Sequence, residues 1–197
     1  AAMFGITDPS HTVRGATILD ADGDGDFDLV YGNWNGPHRL WLRDGDMFVL
    51  GTPPEMEVPS RIRTVIAADF DNDGSEEIFW NNIGEPNRLF GRVDGVWTSL
   101  EIGDALEPSG NGTGAAVLDV DGDGALELLV SHGESGAQPL SLFVADARGN
   151  HYLRIQPMTT NGGPARGAQV VVTRNGTTQR RAVDAGSGYL CQMEPVA

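Results

Sequence analysis

The sequence is short of cysteine, of positive charge and of long apolar runs. Its single cysteine, Cys191, cannot form an internal disulfide, so cysteine usage leaves the compartment open. Thirteen Lys and Arg stand against 28 Asp and Glu, a formal net charge of −15. That balance repels phosphates and excludes nucleic acid as a partner. It suits a cation-binding or matrix-exposed protein. No apolar run reaches the roughly 18 residues of a membrane-crossing helix, so no membrane span is expected. No window keeps a 3.6-residue apolar period, which argues against long amphipathic helices. The opening AAMFGITDPS does not read as a signal peptide; it reads as a processed or truncated end. There is no Arg-Gly-Asp tripeptide for integrin-style adhesion.

What is present is a repeat. DADGDGDFD begins at Asp20, DFDNDGSEE at Asp69 and DVDGDGALE at Asp119, at spacings of 49 and 50 residues. An apolar run precedes each loop (ATIL, TVIAA, AAVL) and another comes after it (FDLVYGN, EIFWNN, LELLVSH). A Pro, two residues, a Leu and an aromatic come next: Pro37–Leu40–Trp41, Pro86–Leu89–Phe90 and Pro139–Leu142–Phe143. In the first two units Asp44-Gly45 and Asp94-Gly95 come after these, a hairpin signal between apolar runs. Each unit therefore reads as four short antiparallel strands, the size of a propeller blade. The expected fold is all-β: a partial β-propeller of about three four-stranded blades over residues 1–148, then a small β domain over 149–197. The third unit lacks its Asp-Gly and fourth strand, for which MFGIT near the start is a candidate. Three blades do not close a ring, which suggests a fragment of a longer protein or blades completed between chains. In the tail, HYLRIQP, GAQVVVTRN and TTQRRAVD read as strands, and Asn175-Gly176 as a two-residue turn.

The acidic loops carry the chemistry. Counting each first Asp as position 1, carboxylates fall at positions 1, 3, 5 and 9: Asp20, Asp22, Asp24 and Asp28; Asp69, Asp71, Asp73 and Glu77; Asp119, Asp121, Asp123 and Glu127. Position 7 varies in side chain (Asp26, Ser75, Ala125), as a backbone carbonyl ligand allows. Calcium takes six to eight oxygens at about 2.3–2.6 Å in a flexible shell, which alternate carboxylates on a curled loop can supply. Position 9 can offer both oxygens. Gly23, Gly25, Gly74, Gly122 and Gly124 permit the curl, and Asn72 replaces Gly in the second loop. An EF-hand needs Glu at position 12 and flanking helices; here position 12 is Tyr31, Trp80 or Val130. Magnesium prefers a strict octahedron, and zinc prefers His or Cys. The three loops hold 14 of the 28 acids, and about three Ca²⁺ ions would move the formal charge from −15 to −9.

The pattern D-x-D-G-D-G-x-x-D followed by LVYGNWNGPHRLWL resembles FG-GAP or VCBS repeats, the calcium-binding blades of integrin-like propellers. The tail NHYLRI…ARGAQVVVT…GSGYLCQMEP is similar to the start of an ASPIC/UnbV domain. The resemblance implies a secreted, extracellular-matrix-type protein whose calcium ligands are the loop residues above. No catalytic residue is expected, and the partner, an extracellular protein or glycan, is unidentified.

Two other readings stand beside this one: a carbohydrate-active lyase or hydrolase on the same scaffold, or a self-assembling fragment. GNGTGA at Gly110 lacks the strand-then-helix context of a dinucleotide site. GESGA at Gly133 lacks the nucleophile-elbow spacing. His11, His38, His132 and His151 are scattered and read as structural or surface residues. Trp41, Trp80 and Trp97 read as core residues; Trp34, in the loop NWNGPH, is a candidate contact. Asn111 and Asn175 head N-x-T sequons.

Overall fold

The computed structural model describes residues 2–133, 136–146, 149–184, 186 and 193–197. Within them lie four small antiparallel sheets, so the all-β class holds. The first joins β1 (Val13–Leu19), β2 (Asp28–Asn33), β3 (Arg39–Asp44) and β4 (Met47–Leu50) in chain order. The second repeats this with β5 (Ile62–Ala68), β6 (Glu77–Asn82), β7 (Arg88–Val93) and β8 (Val96–Leu100). The third has three strands among the described residues: β9 (Gly112–Leu118), β10 (Glu127–His132) and β11 (Ser141–Val144). A two-stranded sheet, β12 (Gln169–Arg174) with β13 (Thr177–Ala182), lies in the tail. The expected boundary at 148/149 falls at residues 147 and 148, outside the described residues.

The turn chemistry matches the sequence. Asp94 and Gly95 both have positive φ, 51° and 80°, between paired Val93 and Val96. Asn175 and Gly176 do the same, at 51° and 85°, between paired Arg174 and Thr177. Two successive positive φ values give the turn whose twist suits a hairpin.

Two apolar clusters fill the spaces between sheets. Leu19, Val30 and Leu40 of the first sheet meet Ile62, Val65, Ile78 and Trp80 of the second. Ile66, Ala68 and Phe79 of the second meet Ala115, Leu128 and Val130 of the third. Alternate residues of β5 and β6 thus face opposite neighbours, following the two-residue period of a strand. A buried polar clasp recurs at the β2–β3 and β6–β7 connections. Asn33 donates its amide to His38 Nδ1 at 3.0 Å and its side chain to the Pro37 carbonyl at 2.6 Å. Asn82 does likewise with Asn87 Oδ1 at 2.8 Å and the Pro86 carbonyl at 2.7 Å. The Pro of the repeat is therefore half of a loop closure.

Two expected strands are not formed. Residues 3–7 do not complete the third sheet. Ala2–Phe4 form a 3-10 turn, Gly5 bends the chain at φ 87°, and the segment lies against the Phe48 backbone of β4. Asp8 anchors the chain just before β1, accepting from Tyr31 Oη at 3.0 Å and Asn33 Nδ2 at 2.9 Å beside His11. HYLRIQP also makes no ladder. Ile155 exchanges two backbone hydrogen bonds with Ala197, at 2.8 and 2.9 Å, and its neighbours are mostly exposed. Among the described residues this segment joins no sheet.

Candidate metal centres

Each acidic loop links the first two strands of a sheet, and position 9 is the first residue of the second strand: Asp28, Glu77 and Glu127. They lie opposite Leu19, Ala68 and Leu118, the last residues of the preceding strands. All three are buried. One oxygen of each accepts the amide of position 2: Ala21 at 2.7 Å, Phe70 at 2.9 Å and Val120 at 2.7 Å. Asp28 Oδ1 accepts a further amide from Arg43 at 2.7 Å. These bonds aim the carboxylate into the loop and leave it less free to chelate through both oxygens.

The other acids curl the loop around themselves. Position 1 accepts amides from within the loop: Asp20 from Gly23 at 2.9 Å and Gly25 at 3.0 Å, Asp69 from Gly74 at 3.0 Å, Asp119 from Gly122 at 2.8 Å. Positions 3 and 5 each accept the amide two residues on. Asp22, Asp71 and Asp121 do so at 3.1, 3.1 and 3.2 Å; Asp24, Asp73 and Asp123 at 2.8, 2.7 and 2.8 Å. The second set of donors is Asp26, Ser75 and Ala125 of position 7. Asn72 takes φ 55°, the left-handed region that Gly122 (φ 81°) occupies in the third loop.

The result is three groups of converging carboxylates: Asp20, Asp22 and Asp28; Asp69, Asp71 and Glu77; Asp119, Asp121 and Glu127. One oxygen from each residue lies within 4.8 Å of the others in its group. The position 5 acids stand outside these groups. The electrostatics of the first two loops suit a cation. Burial pushes Asp28 up to about 6, with Asp22 and Asp24 adding repulsion. Burial likewise takes Asp69 to about 6, against the Arg181 charge and the Gly74 amide, and Glu77 to about 8, against the Phe70 amide. A decisive detail is Asp69 Oδ1, which is buried with no hydrogen-bond partner. Such an acceptor costs free energy unless something cationic meets it. The donor set, all hard oxygen, fits a calcium-type ion.

The tail reaches two of these loops, which the sequence did not announce. Arg181 of β13 donates to the Gly74 carbonyl at 2.9 Å. Asn150 donates to the Asp71 carbonyl at 2.9 Å, and Tyr152 Oη to the Gly122 carbonyl at 3.4 Å. A cleft of about 1010 Å³ lies between the tail and the loop ends, lined by residues such as Asp69, Asp119, Tyr152 and Arg181.

The remaining candidates resolve as structure. His38 is fully buried, edge-on to Trp80, and burial lowers its pKa to about 3. Its Nδ1 accepts the Asn33 amide, so Nε2 is the protonated nitrogen facing Ser60 Oγ at 2.9 Å. That tautomer cannot take a proton from Ser60, which rules this pair out as a nucleophile and base. His132 is held by the Pro139 carbonyl at 2.7 Å and Glu107 at 3.0 Å. His151 is exposed. Trp41 and Trp80 are buried, and Trp97 packs against the first cluster, as expected of core residues. Trp34 is half-buried, with the Arg14 and Arg63 guanidinium carbons 5.7 and 4.7 Å from its ring centroid, so it is not an open platform. Asn175 sits exposed in its turn. Cys191 and part of GESGA lie outside the described residues.

The structure is all-β; residues 20–80 match the model of an FG-GAP-like repeat, and residues 158–197 match that of ASPIC and UnbV. Over its full length the chain is 49% identical to Cartilage acidic protein 1 of Mus musculus, of Homo sapiens and of Xenopus tropicalis. It spans about a third of their length, 33%, 32% and 33% respectively. Among the described residues no helix is long and apolar enough to cross a membrane.

Proposed function

We propose that the chain is a calcium-stabilised, non-enzymatic extracellular module of structural or adhesive type. In this reading it comprises about three propeller blades, to residue 148, and an ASPIC/UnbV-like β domain from 149. The observation that carries it is the triple convergence of positions 1, 3 and 9, with the buried, unpartnered Asp69 Oδ1 among the converging carboxylates. Asp20, Asp22, Asp24 and Asp28 would hold one ion with the Asp26 carbonyl. Asp69, Asp71, Asp73 and Glu77 would hold a second with the Ser75 carbonyl. Asp119, Asp121, Asp123 and Glu127 would hold a third with the Ala125 carbonyl. The ion supplies charge neutralisation at the point where one strand ends and the next begins. The chain's own amides have already curled each loop and oriented position 9. The partner is an extracellular protein or glycan, not identified by these residues.

The test is thermal unfolding in millimolar calcium and in EDTA. Extracellular sites of this chemistry bind at about 10⁻⁴–10⁻³ M. Calcium at ten times its Kd stabilises by about 1.4 kcal/mol per site, so three sites give about 4 kcal/mol. For a chain of this size that is a Tm rise of about 10 °C. Identical melting curves in the two conditions would remove the calcium reading.

A second reading concerns assembly. Among the described residues, Ile18 and Leu29 of the first sheet, and Leu129 and Leu142 of the third, lie on faces with no neighbouring four-stranded sheet. Self-association that covers them is measurable as a concentration-dependent mass.

A further inference from the structure

One acid in the second loop has no place in the repeat. Position 8 is Phe27 in the first loop and Leu126 in the third, but Glu76 in the second. Glu76 is largely buried, with a side-chain exposure of 12%, and its carboxylate lies 3.6 Å from Arg181 Nη1. The other nitrogen, Nη2, lies 3.5 Å from Asp69 Oδ2 and donates to the Gly74 carbonyl at 2.9 Å. The C-terminal hairpin thus lodges a fixed cation against the position 1 ligand of the middle loop. Asp69 turns Oδ2 to the guanidinium and Oδ1 elsewhere, buried without a partner.

We infer that Arg181 is an internal counter-cation of the second loop, so that filling of this site by calcium and docking of the C-terminal hairpin oppose one another. The inference rests on the calcium reading above. Two cations here draw on one set of carboxylates: Asp69, Asp71, Asp73, Glu76 and Glu77. An ion carrying two charges reduces the field that holds Arg181, and Arg181 reduces the field that holds the ion. Linkage makes the two effects equal. Glu76 stays with Arg181 when Asp69 is given over to the metal, which explains an acid that the other loops do without. The second loop is therefore the site whose occupancy is felt in the tail. Arg181 is a positioning residue, not a ligand.

The experiment uses the full 197-residue chain with loops one and three disabled by Asp20→Asn and Asp119→Asn, titrated with calcium by calorimetry. Adding Arg181→Gln is expected to tighten the remaining site about tenfold, the change that one screened repulsion of roughly 1.4 kcal/mol gives. Arg181→Lys keeps the charge and should recover most of the weakness. Unchanged or looser binding in Arg181→Gln overturns the role of Arg181 while leaving the calcium loops intact. No calcium binding in the unsubstituted chain overturns the loops themselves and this inference with them. Hydrogen exchange of the unsubstituted chain needs no variant. Saturating calcium should speed exchange of residues 169–182, and slower exchange there overturns the opposition.

Discussion

The second sheet is enclosed on both faces, whereas the first and third are each enclosed on one. Every residue of β6 is buried, and six of the seven in β5. In β1 burial alternates: Gly15, Thr17 and Leu19 are buried, Ala16 and Ile18 exposed. The repeat makes the comparison controlled, because equivalent positions can be matched. Leu29, Ile78 and Leu128 come directly after the position 9 carboxylate in the three units. Ile78 and Leu128 are buried against the preceding sheet, while Leu29, which meets no preceding sheet among the described residues, is half-buried beside an open cleft of about 510 Å³ shared with the tail. The reverse holds on the other face, where Val30 and Phe79 are buried and Leu129 is not. Burial here comes from neighbours, not from the unit itself. This is how stacked repeats divide their stability between intrinsic and interface terms.

The sharpest way to break this comparison is to truncate matched positions. Ile78→Ala should cost about 3–4 kcal/mol, because it opens a cavity in a sealed cluster. Leu29→Ala should cost about 1 kcal/mol, because its site is already partly open to water. In melting temperature these are drops of roughly 10 °C and 3 °C. Equal losses at the two positions would show that something covers the first sheet in solution.

Charge offers the next test, because carboxylate and imidazole respond in opposite senses. Without calcium, Asp28 and Asp69 titrate near 6 and Glu77 near 8 in the folded chain, all above their ordinary values. The folded state then binds protons that the unfolded state does not, so stability in EDTA rises as pH falls from 8 towards about 5. His38, lowered to about 3, acts the other way. The unfolded chain protonates it first, so stability is lost as pH falls from about 6.5 towards 3. In EDTA the melting temperature should therefore peak at mildly acidic pH. In calcium it should decline steadily on acidification, because protons displace the ion. The gap of about 10 °C expected at pH 8 should shrink to a few degrees at pH 5. Two parallel curves would exclude these carboxylates as the groups that take calcium.

How much of this was legible in the sequence depends on which interactions are local. The loops were, since Gly23, Asn72 and Gly124 announce the backbone they must adopt and the 49- and 50-residue spacings keep their register. The Asp94-Gly95 and Asn175-Gly176 turns were legible for the same reason. Long-range pairing was not. Arg181 meets Glu76 across more than a hundred residues, and nothing adjacent to either predicts the other. HYLRIQP reads as a strand, yet residue type states a preference that only a neighbouring ladder can realise. Position 9 was identified as a ligand candidate, but its hold on the position 2 amide emerges only when the two strands pair. His38 looked like a stray histidine because its partners are brought together only by the fold: Asn33 in the first sheet, Trp80 in the second and Ser60 just before β5.

A smaller effect separates two glycines of one loop. Gly122 and Gly124 share a positive φ, 81° and 85°, so an Ala at either is strained by about 1 kcal/mol. Gly122 has open space around it, whereas a Cβ on Gly124 would run into the Tyr152 ring of the tail. Gly124→Ala should therefore cost about 2 kcal/mol, twice Gly122→Ala, as contact with the tail is lost. The two variants melting together would mean that the tail does not rest on the third loop.

The smallest change in stability should come from the uncovered face of the third sheet. Leu142 is 52% exposed and pairs with half-buried Leu129 on that face. Leu142→Lys removes little buried area, so the melting temperature should move by no more than about 0.5 kcal/mol in equivalent terms. Association should respond far more. If the open faces meet in solution, the unsubstituted chain gains mass with concentration in light scattering and Leu142→Lys does not, because a buried lysine without a partner opposes the contact. A large loss of stability would place a covering segment over Leu142 within the chain. A monomer at all concentrations, in both proteins, would leave the enclosed middle sheet as the source of the fold's stability and its open neighbours as ordinary surface.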